Sequence, residues 1–403
     1  MKILIINHFA GIPKYSDFSL RHYYFAKYFK EKDFECSIIT SKQNYQSREK
    51  VDSSKKLIED IEYFFIDEPA ISSKSLISKT IRMFGFSFNL FKYLFFQSKK
   101  HNPDYIIASS PDLFTCFVSY LFSIKSSSKF ILEIRDIWPL TQITVHNLSR
   151  INPLAILLKL IEIFLHKKAD FVVSNLPNYN QYLIDHKIKF KRYCYIPQVI
   201  DVNYYDKNYK KIDLDKATSN IFDSYDKVGI YAGTIGHYYG LDNIIKSIKL
   251  INNDTAIIFM GEGDFKEKAI KLKYKYNLEN LFFIDGHNKS YLFTVMKKCS
   301  FGIVSFPDKD FYKYGIASLK MFDYLYAQIP LLMIGPFNKF SILKNLNNKH
   351  EAKFDDINEI ASQINILTNL NNEEQSVYQD QSKKLLDNYA SINSMRSQLD
   401  KIF

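Results

Sequence analysis

The chain has 403 residues, more than a single hydrophobic core ordinarily serves, so we expect two domains of about 200 residues each. With 46% hydrophobic and 24% charged residues, its composition is that of a globular protein. A net charge of +11 favours anionic partners, such as nucleic acid, lipid headgroups or phosphate-bearing substrates. The four cysteines form no C-x-x-C pair and predict neither a zinc site nor a disulfide framework.

The first half of the chain opens with a βαβ pattern. A buried-type strand over 2–7 leads through a loop and a helix near 19–30 to a second strand over 35–40. This order predicts a parallel sheet, which binds ligands at the carboxyl ends of its strands. The loop after the first strand is therefore either part of a binding site or an ordinary connection. The residues that it contributes as candidates are Gly11, Ile12 and Pro13.

An aromatic and basic segment over 75–100 allows two interpretations. It is either an interfacial helix on an anionic membrane or a helix packed on the sheet, with lysines that reach solvent. No run in the chain has the roughly 18 uninterrupted apolar residues of a membrane-spanning helix. The basic residues of the segment are Lys79, Arg82, Lys92, Lys99 and Lys100.

A strand predicted over 129–134 ends in the sequence RDIWP. Arg135 and Asp136 lie at its carboxyl end, and Trp138, the only tryptophan of the chain, follows them. A charged pair in this position is either a structural ion pair or part of a functional site. The polar stretch near 201–226 is the best candidate for a linker between domains.

The second half repeats the strand, loop and helix order. A strand over 228–231 runs into a turn with G-x-x-G-x-x-x-G spacing, ahead of an amphipathic helix. Such a turn offers backbone N–H groups to an anion, although glycines also end strands for steric reasons alone. The candidate residues of the turn are Gly233, Thr234, Gly236 and His237.

Two further segments complete a possible nucleotide site. The segment Gly261 to Asp264, which includes Glu262 and Gly263, follows the next strand and can shape a wall beside a flat ring. Lys320, near a helix start, can neutralise a phosphate, and Asp323 can accept two hydroxyl hydrogen bonds from a ribose. The alternative for Asp323 is a solvent-facing helix residue. The letters D-K-D at 308–310 are interpreted as a solvated turn, and no metal site is predicted.

These segments resemble the retaining glycosyltransferases of family 4, and most closely the bacterial enzymes that build O-antigen and capsule repeats. The resemblance covers nearly the whole chain and depends most on EIRDIWP and YGIASLKMFDY. It implies the GT-B fold, an α/β architecture with two doubly wound Rossmann-like domains facing across a cleft. The expected domains are an acceptor-side domain over 1–205, a nucleotide-sugar-binding domain over 206–385, and a C-terminal helix over 386–403 that packs back on the first domain.

The resemblance also implies roles for the candidate residues. The donor would be bound by Gly233, Thr234, Gly236, His237, Glu262, Gly263, Lys320 and Asp323. The catalytic residues would be Asp136, Arg135 and Lys320, and the acceptor side would be formed by Gly11, Ile12, Pro13 and Trp138. The chain departs from the family at its E-x7-E pattern, because Gly315 replaces the first acid and Asp323 the second.

The implied activity is transfer of a hexose or N-acetylamino sugar with retention. The donor would be a nucleoside diphosphate sugar, expected to be UDP-linked, and the acceptor an undecaprenyl-diphosphate-linked sugar. We expect a cytoplasmic protein on the inner face of the bacterial plasma membrane, with no cofactor and no metal requirement. One alternative is a nucleotide-sugar epimerase of the GT-B fold. The other is a basic nucleic-acid-binding protein, which the wide spread of the lysines disfavours.

Overall fold

A computed structural model describes residues 1–13, 15–16, 19–43, 51, 53–71, 76–97, 102–145, 147–347 and 349–403. The chain divides into two compact units, one formed by 1–199 with 392–403 and the other by 200–391. Each unit contains one mainly parallel sheet with helical crossovers, so the predicted pair of Rossmann-like α/β domains is confirmed. The domain boundaries predicted after residues 205 and 385 fall within helices of the second unit.

The first unit has an eight-stranded sheet. Its strands are β1 Lys2–Ile6, β2 Glu35–Ser41, β3 Lys55–Ile58, β4 Ile61–Ile66, β5 Tyr105–Ser109, β6 Lys129–Ile134, β7 Phe171–Ser174 and β8 Tyr193–Tyr195. They are ordered β3-β4-β2-β1-β5-β6-β7-β8; β3 pairs antiparallel with β4, and the other described pairs are parallel. The chain builds outward from β1 on one side and from β5 on the other, so the strand order reverses between these two strands.

Six helices of the first unit connect these strands. They are α1 Arg21–Glu31, α2 Leu76–Lys92, α3 Leu113–Lys125, α4 Leu140–Thr144, α5 Pro153–Lys168 and α6 Tyr179–Asp185. Several begin at a side-chain cap: Asp112 accepts hydrogen bonds from the backbone N–H groups of Phe114 and Thr115, which satisfies donors that the first turn leaves free. A π-helical turn, Tyr93–Gln97, follows α2.

The second unit has a six-stranded parallel sheet. Its strands are β9 Lys227–Ala232, β10 Thr255–Met260, β11 Leu281–Ile284, β12 Phe301–Ser305, β13 Leu331–Ile334 and β14 His350–Ala352, in the order β11-β10-β9-β12-β13-β14. Its helices are α7 Val202–Asn208, α8 Lys216–Ser224, α9 Leu241–Ser247, α10 Lys266–Lys275, α11 Lys289–Met296, α12 Leu319–Ala327, α13 Phe337–Phe340, α14 Ile357–Thr368 and α15 Asn372–Tyr389. Short 3-10 turns are His237–Tyr239, Ile248–Leu250, Asp310–Tyr314 and Ile342–Asn345. The last helix, α16 Ile392–Leu399, belongs to the first unit.

The stretch predicted as a linker, 201–226, contains helices α7 and α8 instead. Two aspartates account for the difference, because each caps a helix in a sequence that looks polar and irregular. The side chain of Asp201 accepts a hydrogen bond from the N–H group of Tyr204, and that of Asp215 accepts one from Thr218. The linker prediction is therefore wrong.

Candidate functional site

The carboxyl edge of the second sheet has a reversal of strand order between β9 and β12. These strands are neighbours although β10 and β11 lie between them in sequence. Doubly wound sheets bind ligands in the crevice that such a reversal creates. The loop after β9 and the end of β12 are tied together there, because the Ser305 hydroxyl donates a 2.7 Å hydrogen bond to the carbonyl of Tyr239.

Lys320 lies against Gly233 at this edge. Gly233 has a φ of +132°, and a Cβ added to it would be 2.9 Å from Cε of Lys320 and 3.1 Å from Nζ. The Lys320 Nζ donates a 2.9 Å hydrogen bond to the Tyr231 hydroxyl and lies 4.5 Å from the ring centroid of Tyr231 and 4.3 Å from that of Tyr239. Burial lowers the pKa of Lys320 to about 7. In the described part of the chain, Lys320 forms no ion pair with an acidic residue.

The backbone of the glycine turn leaves two donors unused. The N–H groups of Gly233, Ile235 and His237 donate to protein acceptors. Within the described ranges, those of Thr234 and Gly236 do not. A lysine without a counter-ion beside two unused amides is an arrangement that suits an anionic ligand.

The loop after β10 packs backbone to backbone against this turn. A Cβ at Gly261 would lie 2.0 Å from the carbonyl oxygen of Gly233, and one at Gly263 would lie 2.0 Å from that of Ile235. Both positions therefore require glycine for steric reasons. The side chain of Glu262 is exposed and accepts a 2.8 Å hydrogen bond from Lys266. The predicted contacts of Glu262 and Gly263 with a nucleotide base stay predictions.

Asp323 follows Lys320 by three residues in α12, but its side chain is paired with another residue. Its carboxylate is buried and forms an ion pair with Lys289, which begins α11. A ribose hydroxyl must compete with that ion pair, so the predicted ribose contact of Asp323 stays a prediction. At Gly315 the φ is +123°, a backbone conformation that an acidic side chain adopts only with strain. The backbone thus accounts for the missing first acid of the E-x7-E pattern.

In the first unit, Asp136 holds the loop that follows β6. Its Oδ2 accepts a 3.0 Å hydrogen bond from the Trp138 indole N–H, and its Oδ1 accepts a 2.5 Å bond from the Thr141 hydroxyl. The backbone N–H of Arg135 donates a 2.8 Å bond to the Ser110 hydroxyl. Trp138 itself is buried in an apolar cluster with Phe9, Met83, Leu113 and Leu158. Asp136, Arg135 and Trp138 therefore each have partners within this unit.

The predicted loop residues Gly11 and Ile12 follow β1 and lie at the carboxyl edge of the first sheet. A Cβ at Gly11 would be 2.4 Å from the carbonyl oxygen of Ser19, so the loop doubles back on itself there. Ile12 is fully buried, and its N–H group donates a 3.0 Å hydrogen bond to the Ser16 hydroxyl. Pro13, which follows, is also buried. Contact between these residues and an acceptor stays a prediction.

A buried polar network that the sequence did not indicate lies beside this loop. Glu133 accepts 2.6 Å hydrogen bonds from Arg21 Nε and from His22 Nε2, and His22 Nδ1 accepts a 3.1 Å bond from the Asn7 amide. Burial raises the pKa of Glu133, but the charge of Arg21 and the hydrogen bond from His22 help to outweigh burial and hold it well below its usual range. No local signal marks this network, because Arg21 and Glu133 are 112 residues apart.

His8 anchors a second buried cluster. Its Nδ1 donates a 2.7 Å hydrogen bond to Asp112, and its Nε2 donates to Glu68, which also accepts a 2.6 Å bond from Arg82 of α2. The imidazole is stacked between the rings of Phe9 and Phe86. The cluster ties the loop after β1 to the N-terminus of α3 and to α2, which is a scaffolding role.

Comparison with known proteins is informative at the level of structure. No protein-family model and no curated protein matches the chain. A sucrose-phosphate synthase from Thermosynechococcus elongatus has a TM-score of 0.73 at 12% identity, covering 100% of this chain and 98% of that one. Anabaena HepE, solved with UDP and glucose, has a TM-score of 0.65 at 11% identity and coverages of 100% and 99%. The apo form of the lipopolysaccharide outer core galactosyltransferase WaaB has a TM-score of 0.62 at 11% identity, covering 100% of both chains.

The chain has the GT-B fold. At identities of 11 to 12%, these similarities establish the fold and leave the activity to be argued from the site. Within the second unit, Gly233 and Lys320 are in contact at the carboxyl edge of the sheet, and Asp323 of the same helix as Lys320 is occupied by its ion pair with Lys289. Among the described residues, no group of three or more His, Cys, Asp or Glu side chains is arranged to hold a metal ion.

An apolar surface of the first unit lies outside this edge. One side of α2 is buried through Met83, Phe86 and Leu90, and the other is exposed. The exposed apolar residues of α2 recur at helical spacing and are Ile77, Ile81, Phe84 and Phe88. Helix α5, which like α2 packs against α3, exposes Ile156, Leu157, Leu160 and Ile163.

Two of the basic residues of the predicted 75–100 segment, Lys99 and Lys100, lie outside the described residues. No helix within the described ranges is long and apolar enough to span a bilayer.

Proposed function

We propose that the protein is a retaining glycosyltransferase that moves a sugar from a UDP-linked donor to a lipid-linked sugar acceptor. The observation that carries the proposal is the contact of Lys320 with Gly233, beside the unused amides of Thr234 and Gly236. A nucleoside diphosphate supplies the negative charge that this arrangement accommodates. The solved complexes of Anabaena HepE with UDP and with UDP-glucose support a UDP-linked donor on the same fold.

The chemistry follows from charge on the leaving group. The bond between the anomeric carbon and the β-phosphate oxygen breaks while the acceptor oxygen bonds to that carbon, and negative charge grows on the diphosphate. Protonated Lys320 and the two amide N–H groups stabilise this charge. Donors of this kind are each worth roughly 10²–10³ in rate. Because Lys320 supplies a positive charge, we expect turnover without a metal ion.

The proton of the acceptor hydroxyl has two possible destinations. Asp136, one of the predicted catalytic residues, is a candidate for the base, but both of its oxygens already accept hydrogen bonds, which makes it a weaker base. We therefore assign the proton to the departing diphosphate and give Asp136 the task of holding Trp138. On this assignment, Asp136→Asn is expected to cost far less activity than Lys320→Met.

The test is release of UDP from a panel of UDP-sugars, with and without a short lipid-diphosphate-linked sugar. We expect release only when the acceptor is present and a loss of at least about 100-fold in Lys320→Met. Lys268→Met, on the exposed face of α10, is the matched control and should be fully active. Conversion of a UDP-sugar without acceptor would indicate the epimerase instead. Absence of transfer from every donor, or full activity of Lys320→Met, would contradict the proposal.

We also propose that the apolar surface of α2 and α5 contacts an anionic membrane, where a lipid-linked acceptor resides. Exposed apolar side chains beside Lys79 and Lys92 suit the boundary between headgroups and acyl chains. The likeness to the lipopolysaccharide outer core galactosyltransferase WaaB supports surface polysaccharide synthesis as the setting. The acceptor that we propose in this setting is an undecaprenyl-diphosphate-linked sugar. This placement corresponds to a peripheral protein on the cytoplasmic face of the plasma membrane.

Co-sedimentation with phosphatidylglycerol vesicles tests the membrane contact. Phe84→Ser with Phe88→Ser should reduce the bound fraction several-fold, because about 2 kcal/mol of apolar burial is lost for each ring. Tyr274→Ser, which removes a comparably exposed ring from the second unit, should leave binding unchanged. If the double phenylalanine variant and Tyr274→Ser bound the vesicles equally, the assignment of this surface as the membrane contact would be contradicted.

A further inference from the structure

The amine of Lys320 is enclosed by two tyrosines that the sequence did not single out. Tyr231 donates its hydroxyl proton to the carbonyl of Thr234 at 2.8 Å, so its oxygen accepts from Lys320. The rings of Tyr231 and Tyr239 lie over the amine, with their centroids 4.5 and 4.3 Å from Nζ, and the lysine side chain is partly buried. Tyr239 is in turn fixed by the Ser305 hydroxyl, which donates to its carbonyl. The enclosure is therefore built from β9, the glycine turn and β12.

Among the residues that the structure describes, no acidic group forms an ion pair with this amine. On its own helix, Asp323 is paired with Lys289. Across the glycine turn, Asp264 accepts a hydrogen bond from the N–H group of His237, and in α9 Asp242 is paired with Lys246. The neighbouring phenols are those of Tyr231, Tyr239 and Tyr324, and burial raises the pKa of Tyr231 and of Tyr324, so neither of these two carries a charge at physiological pH.

We propose that binding of the donor diphosphate is coupled to uptake of one proton by Lys320, and that Tyr231 and Tyr239 are positioning residues that keep the amine desolvated until the diphosphate arrives. The inference rests on the proposed donor site and deepens it. The enclosure favours the neutral amine in the free protein, and an adjacent diphosphate favours the ammonium. The proton is drawn from solvent and bonds to Nζ, so charge is balanced as the anion enters.

The pH dependence follows from the free and bound states. In the free protein the pKa of Lys320 is lowered by burial to about 7, and the diphosphate raises it in the complex. Between these two pKa values, affinity falls by up to about tenfold per pH unit as the pH rises. Below the lower value, the lysine is protonated in both states and contributes no further change.

Calorimetric titration of UDP into the full-length protein tests this coupling. Measurements from pH 7.5 to 9.0 keep the terminal phosphate of UDP ionised, so the ligand itself takes up no proton. At pH 8.0, buffers of different ionisation enthalpy, such as HEPES and Tris, should report uptake of about one proton per UDP. Affinity should fall about tenfold or more between pH 7.5 and 9.0.

Four variants test whether the proton is taken up by Lys320. Lys320→Arg keeps its charge over this range and should bind UDP without proton uptake and with affinity independent of pH. Tyr239→Leu admits water to the amine and should move the fall in affinity to higher pH, whereas Tyr239→Phe should behave as wild type. Lys268→Met should take up the same proton as wild type.

The outcomes separate this inference from the proposed function. UDP binding without proton uptake would overturn the coupling and leave the donor site intact. Uptake that persists in Lys320→Arg would assign the proton to another group, such as His237, and would also overturn it. A failure of both UDP and the UDP-sugars to bind at any pH would contradict the proposed function itself, and the coupling with it.

Discussion

The carboxyl edges of the two sheets satisfy their charges in different ways. In the first unit, Glu133 is bonded to Arg21 and His22, and His8 is bonded to two carboxylates, all of them buried. In the second unit, Lys320 lies beside unused backbone donors and, in the described part of that unit, has no acidic partner. Both edges lie where a doubly wound sheet reverses its strand order, and only one of them lacks a counter-charge.

This difference separates scaffold from ligand site. A positive charge on a desolvated amine without a counter-ion is costly, and an anionic ligand removes that cost. Paired buried charges hold loops in place and have no need of an ionic ligand. The first edge is therefore suited to a neutral group such as a sugar hydroxyl, and the second to a diphosphate.

Removal of one paired charge should produce the largest effect. Glu133→Gln leaves Arg21 buried without its counter-ion, and we expect the free energy of unfolding of the first unit to fall by about 3–5 kcal/mol. Urea unfolding followed by fluorescence of Trp138, the only tryptophan, reports on this unit. Lys320→Met should not lower that stability, because it removes an unpaired amine from the other unit.

Glu31→Gln is the matched control for this measurement. Glu31 is partly exposed and pairs with Arg396 in the same unit, so the loss should stay below about 1 kcal/mol. If Glu133→Gln is no more destabilising than Glu31→Gln, the buried network is not the scaffold described above.

A smaller effect is expected from pH through His8. Burial is the largest single influence on the pKa of His8, and it lowers that pKa. The hydrogen bonds to Asp112 and Glu68 and the charges of these two carboxylates together outweigh burial, so the pKa lies above the usual value of 6.5. The stability that the charged imidazole contributes is therefore complete below pH 6.5 and is lost as the pH rises through the raised pKa.

The measurement compares wild type with His8→Gln from pH 6 to pH 9. The difference in free energy of unfolding should narrow as the pH rises, by at most about 1.4 kcal/mol per pH unit. A difference that is constant or widens with pH would mean that His8 is not a charged anchor in the folded protein.

Local patterns in the sequence predict most of the framework. The strand predicted over 129–134 coincides with β6, and the βαβ order predicts the parallel sheets and the edge where the candidate residues gather. The prediction fails where polar side chains cap helices, as Asp201 and Asp215 do in the supposed linker. A cap is a short-range hydrogen bond from a polar side chain, and composition alone assigns such a polar residue to a loop.

The site was predicted only in part, because its decisive contacts are long-range. Lys320 and Gly233 were both named, but the enclosure of Lys320 by Tyr231 joins residues 89 apart in sequence. Helical position alone does not indicate that Asp323 pairs with Lys289, 34 residues away. A single sequence identifies which residue types suit a diphosphate, and folding decides which of them remain available.

Binding of UDP at pH 7.0 tests the central claim most directly, measured by calorimetry on wild type, Lys320→Met and the control Lys268→Met. A charged hydrogen bond contributes about 1.5–3 kcal/mol, so Lys320→Met should lose at least about tenfold in affinity while its unfolding transition is unchanged. Lys268→Met should bind as wild type does. Equal affinity of wild type and Lys320→Met would contradict the assignment of the second edge as the diphosphate site.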